Sequence, residues 1–449
     1  MTLEAVATDL AAVANPSTLT DAVNQTMTKQ ILRHLTDNIL DREADKMRDQ
    51  LDSISRPTRL TLFSPLEQLE RLAAIVLGMP APDLPPGLTQ LEMNAYDNAL
   101  RSLLPQHPFL DGTGREPSGA VFSAVINAHA LFSASRKTSD AAEVHAGRGS
   151  HTPNPFLTDF YLDLTERDGS DTPVVPPEHI VLLYESVRAR ASAGDVVRLS
   201  IESDENEESL DVEIQISGLD SKDRLRRLLF KSSQAGQLRF GRQVNGVAVE
   251  APALDVVIGS GDLVEFIVPV SLNVGRLSFN CSGVIVQLGE KSGSATDATA
   301  TIEAAELLKS NVKTSPIVRA GAERAVCWPG ANAYPWTHFA VIPSGETADN
   351  IDDTLRGIRR LVLAFRSHSK GRLARFEDKI EHRRITKGSL GVAIRERMMR
   401  DGVLTREGNM YFLDPVALGK ATGATYQDMK LKRFNALVKS YGASITVSA

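Results

Sequence analysis

DVVRLSIESDENEESLDVEIQI, residues 195–216, sets the reading of the middle of this chain. In Val197-Arg198-Leu199-Ser200-Ile201-Glu202 and Leu210-Asp211-Val212-Glu213-Ile214-Gln215-Ile216, apolar and polar residues alternate. That period of two marks strands with one buried face. The acidic stretch between them is long and polar enough for a hairpin tip. Further strands are expected at Gln237–Phe240, Val244–Glu250, Leu254–Ile258, Asp262–Leu272 and Val284–Leu288. Ala235-Gly236, Asn245-Gly246 and Gly259-Ser260-Gly261-Asp262 are the turn signals between them. Lys222–Lys231 reads as one helix among these strands, and a short helix is expected near Ile302–Leu308, after the loop GEKSGSATDATAT. The spacing predicts a mainly antiparallel sandwich or barrel-like β-rich domain over 176–346. No internal repeat of solenoid type is evident.

Helices flank this middle. Residues 1–145 form a helical N-terminal region. Leu19–Asp52 contains neither Gly nor Pro and repeats Val23, Met27, Ile31, Leu35, Ile39 and Leu40 at helical spacing. A second helix enters at Ser64-Pro65, where Pro loses only an N–H that had no partner, and ends at Gly78. Others are expected over Leu88–Leu104 and Ser118–Lys137. In 350–449, helices are expected over Ile351–Ser367, Arg372–Arg384, Ser389–Arg400 and Tyr426–Tyr441. Val403–Arg406 and Met410–Leu413 form a hairpin around Glu407-Gly408-Asn409. The fold class is therefore α+β multidomain.

The chain has 449 residues with 42% hydrophobic and 24% charged residues, which excludes wholesale disorder. Its net charge of -6 excludes a uniformly basic nucleic-acid coat. That charge is unevenly spread: 351–449 holds 20 Lys/Arg against 10 Asp/Glu, a net +10, while the rest nets -16. Asp195–Asp223 carries ten acids against Arg198 and Lys222. A basic end on an acidic body points to a polyanion partner or to docking on acidic protein surface, the chain's own included. The two cysteines suggest a reducing compartment. The start lacks the basic flank of a signal peptide, and no apolar run is long enough to span a bilayer. A cytoplasmic protein with no membrane partner is expected.

GSLGVAIRERMMRDGVLTREG followed by NMYFLDP resembles the third helix and wing of bacterial winged-helix modules. The likeness covers about 45 residues. FRSHSKGRLARFEDKIEHRR also looks like C-terminal segments of bacterial proteins encoded beside NTPases in phage-defence or DNA-processing systems. In winged helices the third helix usually enters the major groove, and the wing and preceding helix meet phosphates. The resemblance thus implies Arg395, Arg397 and Arg400 as groove residues and Arg383, Arg384, Lys387 and Arg406 as phosphate contacts. Arginine suits both roles through its planar fork. Helical geometry, however, sets Arg395 and Arg397 about 200° apart, so both cannot face one groove. Such modules also dock proteins.

Catalytic signatures are sparse. G-x-x-x-x-G-K-S/T, H-E-x-x-H and G-x-S-x-G are absent, and no cofactor is expected. His145 and His151 sit in a Gly/Pro/Ser stretch better read as a loop than a metal site. Cys327 and His338 could in principle pair for thiol chemistry, but an inert cysteine is the better reading. A divalent-metal nuclease would need acids on neighbouring strands; Asp195 or Asp204 with Glu213 and Gln215 fits loosely. The simpler reading leaves Glu213 and Gln215 as outward residues of a strand. CWPGANAYPW, 327–336, holds both tryptophans and reads as a loop anchored in a core. The expected function is a non-enzymatic subunit of a bacterial multi-protein system acting on or near DNA, with phage defence as one such system. Its C-terminal domain would dock DNA or a partner protein. The alternatives are a metal-dependent nuclease and a ligand-sensing transcriptional regulator.

Overall fold

In the computed structural model, Ala248 pairs in parallel with Ser271, Ser271 with Thr301, and Thr301 with Ala325. The structure describes residues 26–148, 153–166, 172–192, 195–203, 209–218, 225–289, 298–331, 333–338, 340–341, 350–367, 372–382, 385–386 and 388–446. The chain divides into two units: Met1–Pro173 with Leu182–Arg190, and Val174–Val181 with Ala191–Ala449.

The first unit is helical. Its elements are α1 (Thr26–Gln50), α2 (Arg56–Arg59), α3 (Pro65–Leu77), α4 (Gln90–Leu103), α5 (Ala120–Leu131), α6 (Arg136–Arg148) and α7 (Leu157–Glu166). The Ser64 hydroxyl accepts from the Glu67 N–H, Pro65 opens α3, and Gly78 closes it at φ 66°, as the sequence predicts. Thr89 and Glu92 form a reciprocal capping box on α4. Met47, Leu51, Ile54, Leu62, Phe63, Tyr96 and Leu100 make one core cluster. At a buried polar junction, Gln68 donates to the Leu40 and Phe63 carbonyls and meets His107 at 3.1 Å. The helical character continues beyond residue 145, through α7 and α8 (Pro177–Arg190). The boundary between the units falls within α8.

The second unit holds an 11-stranded, mostly parallel sheet. Its strands are β1 (Asp195–Ser203), β2 (Ser209–Gly218), β3 (Leu225–Ser233), β4 (Gln237–Phe240), β5 (Gln243–Asn245), β6 (Val247–Val268), β7 (Val270–Leu288), β8 (Thr299–Ser310), β9 (Ile317–Val318), β10 (Glu323–Cys327) and β11 (Ala340–Val341). The expected antiparallel middle domain is thereby corrected: among the described residues, only β1–β2 and β2–β3 pair antiparallel there. Strands β6 and β7 are separated by Pro269 alone, yet they run parallel. A parallel neighbour ordinarily needs a connection of a dozen or more residues. The strands themselves supply it. A straight strand of 22 residues would reach about 70 Å, far beyond ordinary strand length. Instead the register breaks between Ala251 and Asp255 and between Ile258 and Gly261, so the chain turns corners there.

Each long strand is therefore one turn of a coil with three straight sides. The first side stacks β1, 247–251, 270–274, 299–304, β10 and β11. The second stacks β4, 255–258, 276–279 and 306–310, and the third β5, 261–268, 281–288 and β9. Each turn pairs with the next, as in β-solenoids. The interior consists of register columns: Ile201, Val249, Leu272, Ile302 and Val326; Phe240, Ile258 and Phe279; Val244, Phe266 and Val286, all buried. At one corner a Cβ on Gly275 would stand 2.6 Å from the Pro252 carbonyl, so only glycine lets successive turns approach. Trp328 and Trp336 end a column against Phe279, with Phe279–Trp336 centroids 4.8 Å apart and the tryptophans edge-to-face at 5.0 Å. The aromatic loop is thus a core anchor, with Tyr334 left exposed.

Two expected helices are strands. Of the stretch read as Lys222–Lys231, the described residues 225–231 lie in β3, and Ile302–Leu308 lies in β8, because both sit in sheet register that outweighs local helical spacing. The C-terminal part comprises α9 (Asn350–Ala364), β12 (Arg366–Ser367), β13 (Leu373–Phe376), α10 (Glu377–Ile380), α11 (Gly388–Arg400), β14 (Leu404–Glu407), β15 (Met410–Leu413), α12 (Pro415–Thr422), α13 (Tyr426–Lys430) and α14 (Ala436–Thr446). The expected helix Arg372–Arg384 begins as a strand, since β13 pairs with β15 in an antiparallel sheet ordered β12-β13-β15-β14. The expected helix Tyr426–Tyr441 is two helices, broken at Lys432 with φ 51°. Its core gathers Leu355, Ile358, Phe365, Ile394, Met398, Tyr411 and Leu413, among others. Among the described residues, no helix is long and apolar enough to cross a membrane.

Candidate functional site

The first side of the coil presents two register rows outward. One is Ser200, Ala248, Ser271, Thr301 and Ala325, all small. The other is Glu202, Glu250, Asn273, Glu303 and Cys327. Paired strands lie about 4.8 Å apart, so this second row stacks carboxylates that repel one another. Asn273 interrupts the stack and donates to Glu250 at 2.6 Å.

The C-terminal part supplies the counter-charge. Arg375 on β13 donates to Glu202 at 2.8 Å. Arg359 on α9 donates to Glu303 at 2.7 Å, and Lys432 reaches the other oxygen of Glu303 at 3.2 Å. Beside them, Glu213 is buried and accepts from Arg227 at 2.5 Å and Gln215 at 2.9 Å, with Arg375 3.7 Å from its second oxygen. Arg227 also pairs with Asp378 at 3.3 Å and lies 3.8 Å over the Phe376 ring. Burial would lower the Arg227 pKa, but the hydrogen bond and charge of Glu213, then Asp378, raise it. The small row lets the C-terminal part approach closely, and Leu431 packs on Ala325. Burial first, then the Glu303 charge, pushes the Cys327 thiol up, away from nucleophilic use.

Of the residues proposed for nuclease chemistry, Glu213 and Gln215 meet but Asp195 stands apart from them. Asp195 is five residues along β1 from Ser200, the partner of Glu213, a separation of about 16 Å. Gln215 binds Glu213, and Glu213 faces guanidinium groups. Glu213 and Gln215 do lie on the strand face opposite Val212 and Ile214, but that face is covered: both are under a tenth exposed. Asp204 lies outside the described residues. Among the described residues, no cluster of three His, Cys, Asp or Glu could hold a metal. His145 lies within α6 and meets Asn127 at 3.1 Å, while His151 lies outside the described residues. The His338 side chain is likewise outside them.

Of the four proposed DNA-binding arginines that the structure describes, three face local acids. Arg395 pairs with Glu381 at 3.2 Å. Arg406 pairs with Glu377 at 2.5 Å and lies near Glu381 at 3.8 Å. Arg397 pairs with Asp401 at 2.8 Å and lies 5.4 Å from the Tyr441 ring centroid. The Tyr441 hydroxyl donates to Asp401, and burial with that hydrogen bond raises its pKa. Arg400 is exposed at the end of α11. Arg383, Arg384 and Lys387 lie outside the described residues. Arg359, Arg375 and Lys432, which meet the acidic row, were not among the residues singled out from sequence. Their partners lie 56 to 173 positions away, a distance no local pattern signals. No protein family, curated protein or solved structure matches the chain.

Proposed function

We propose that the chain is a binding component whose C-terminal part is a winged-helix-like docking module for acidic protein surface. Its resident partner is the chain's own coil. The observation that carries this reading is the arginine and lysine set meeting the Glu202–Glu303 row, Arg375 and Arg359 foremost. The order helix, strand, short helix, helix, hairpin supports the winged-helix likeness. Charge pairing on α11 and β14 speaks against a free basic groove face in the described part. A subunit role in a bacterial assembly acting near DNA, as in phage defence, rests on the sequence likeness of the C-terminal segment. The helical N-terminal unit would then serve assembly.

Full-length protein titrated onto labelled duplex DNA at low salt tests the choice. The docking reading expects no binding tighter than the roughly 10⁻⁴–10⁻⁶ M of ordinary non-specific contact. It also expects a Glu202→Gln/Glu303→Gln variant to bind DNA more tightly, because its cations are released. Tight, steeply salt-dependent binding by the unaltered protein, weakened by Arg400→Glu, would overturn it in favour of DNA docking.

A further inference from the structure

Each straight side of the coil turns one face outward, and the three faces differ. The first meets the C-terminal part through Arg375, Arg359 and Lys432. The second carries the row Gln237, Asp255, Arg276 and Glu306, in which Arg276 and Asp255 pair with each other. The third carries isoleucines. Ile285 stands in register with Glu265 on one neighbouring turn and with Ile317 of β9 on the other, and Ile267 stands beside Gln287. Ile317 is 58% exposed and Leu263, at the edge of the same face, 50%. Ile267 and Ile285 are half-buried.

Alternation leaves the outward face of a solvated sheet polar, so outward isoleucines in neighbouring rows depart from the pattern. An apolar patch with a polar rim is the usual form of an association surface. Here the rim carries both signs. Glu265 accepts from Gln243 at 3.1 Å and meets no cation among the described residues. Arg319 continues the β9 register, its N–H donating to the Val286 carbonyl, and its exposed side chain meets no acid among the described residues. Two turns and two residues separate Glu265 from Arg319, about 12 Å across the face.

We propose that this face binds a second copy of the same chain across a two-fold axis. An interface of that symmetry must be complementary to itself. An axis lying in the plane of the face, perpendicular to the Glu265–Arg319 diagonal, meets the requirement. It sets Glu265 opposite Arg319 of the partner subunit, and by symmetry the reverse pair forms as well. Ile285 and Ile317 lie along the axis, so the two copies stack these side chains between the charge pairs. The face measures about 19 by 26 Å, roughly 500 Å² per copy, which is below the usual interface and makes the dimer weak and reversible.

The test is sedimentation of the full chain at low salt over a concentration series reaching about 1 mM, where a weak contact is populated. A reversible monomer–dimer equilibrium is expected. Ile317→Asp should raise the dissociation constant about tenfold or more. Arg319→Glu and Glu265→Arg should each weaken self-association, since each sets like charges opposite one another. Mixing these two variants should restore a dimer as tight as the unaltered one, because every facing pair is then of opposite sign, and the double variant Glu265→Arg/Arg319→Glu should self-associate again. Ile317 and Arg319 are exposed, so their variants should keep the melting temperature of the unaltered chain. A monomer at every concentration overturns the proposal. So does a dimer or larger assembly indifferent to Ile317→Asp and Arg319→Glu, or a mixture of the two charge variants that associates no better than either alone.

Discussion

Replacing Arg375 by methionine probes the seam at its centre. The guanidinium is 2% exposed, stands 2.8 Å from Glu202 and 3.7 Å from Glu213, and Glu213 is itself 2% exposed. Removing one partner of a buried ion pair costs about 3–5 kcal/mol, since the other charge stays desolvated. Glu202 retains 16% exposure and a bond from Ser200, and Glu213 keeps Arg227. These residual partners favour the lower end, about 3 kcal/mol. For a unit of this size each kcal/mol moves the midpoint by about 2–4 °C, so the second unit should melt about 6–12 °C lower. Calorimetry on the full chain reads this directly. The triple variant Arg375→Met/Glu202→Gln/Glu213→Gln removes the charges together and should recover most of the loss, because neutral packing replaces a buried network at little cost. A single-variant loss below about 1 kcal/mol, or a triple variant worse than the single, would refute the argument that this network holds the C-terminal part to the coil.

Other consequences follow from the core. Burial first, opposed by the Glu43 charge, and aided by those of Lys46 and Arg42, takes His107 down to about 4. Its folded pKa is thus below the unfolded value of about 6.5, so the unfolded chain binds the extra proton and stability falls as pH drops from 6.5 toward 4. The helical unit should lose about 2 kcal/mol between pH 7 and pH 5, read by denaturant titration, and His107→Gln should flatten that slope. Gly275→Ala sets a Cβ 2.6 Å from the Pro252 carbonyl and should destabilise the coil by about 1–3 kcal/mol in the same assay. Trp336→Ala uncaps the Phe279 column and should cost about 3–5 kcal/mol; a loss under 1 kcal/mol would show the aromatic plug to be dispensable.

Local chemistry was legible in the sequence. Ser64-Pro65 and Gly78 bound α3, the alternating residues of 196–202 and 210–216 are strands, and Met410–Leu413 closes a hairpin with Leu404–Glu407. Each follows from interactions within a few residues of the chain. Strand direction was not legible, because a coil that buries one face of every strand produces the same period-two pattern as an antiparallel sandwich. Gly246 and Gly259, read as turn signals between strands, bend the chain around corners at positive φ. The turns also differ in length, from Ala248 and Ser271 to Val270 and Ala300, so no repeat surfaces.

The partner of the basic tail was likewise open. Sequence fixed the amount of charge, +10 against -16. Only the tertiary structure aligned Glu202, Glu250 and Glu303 into one row and carried Arg375, Arg359 and Lys432 to it. Composition sums charge along a line, whereas Coulomb attraction acts through space and decays within about 10 Å. Which charges meet is therefore settled by the path of the fold.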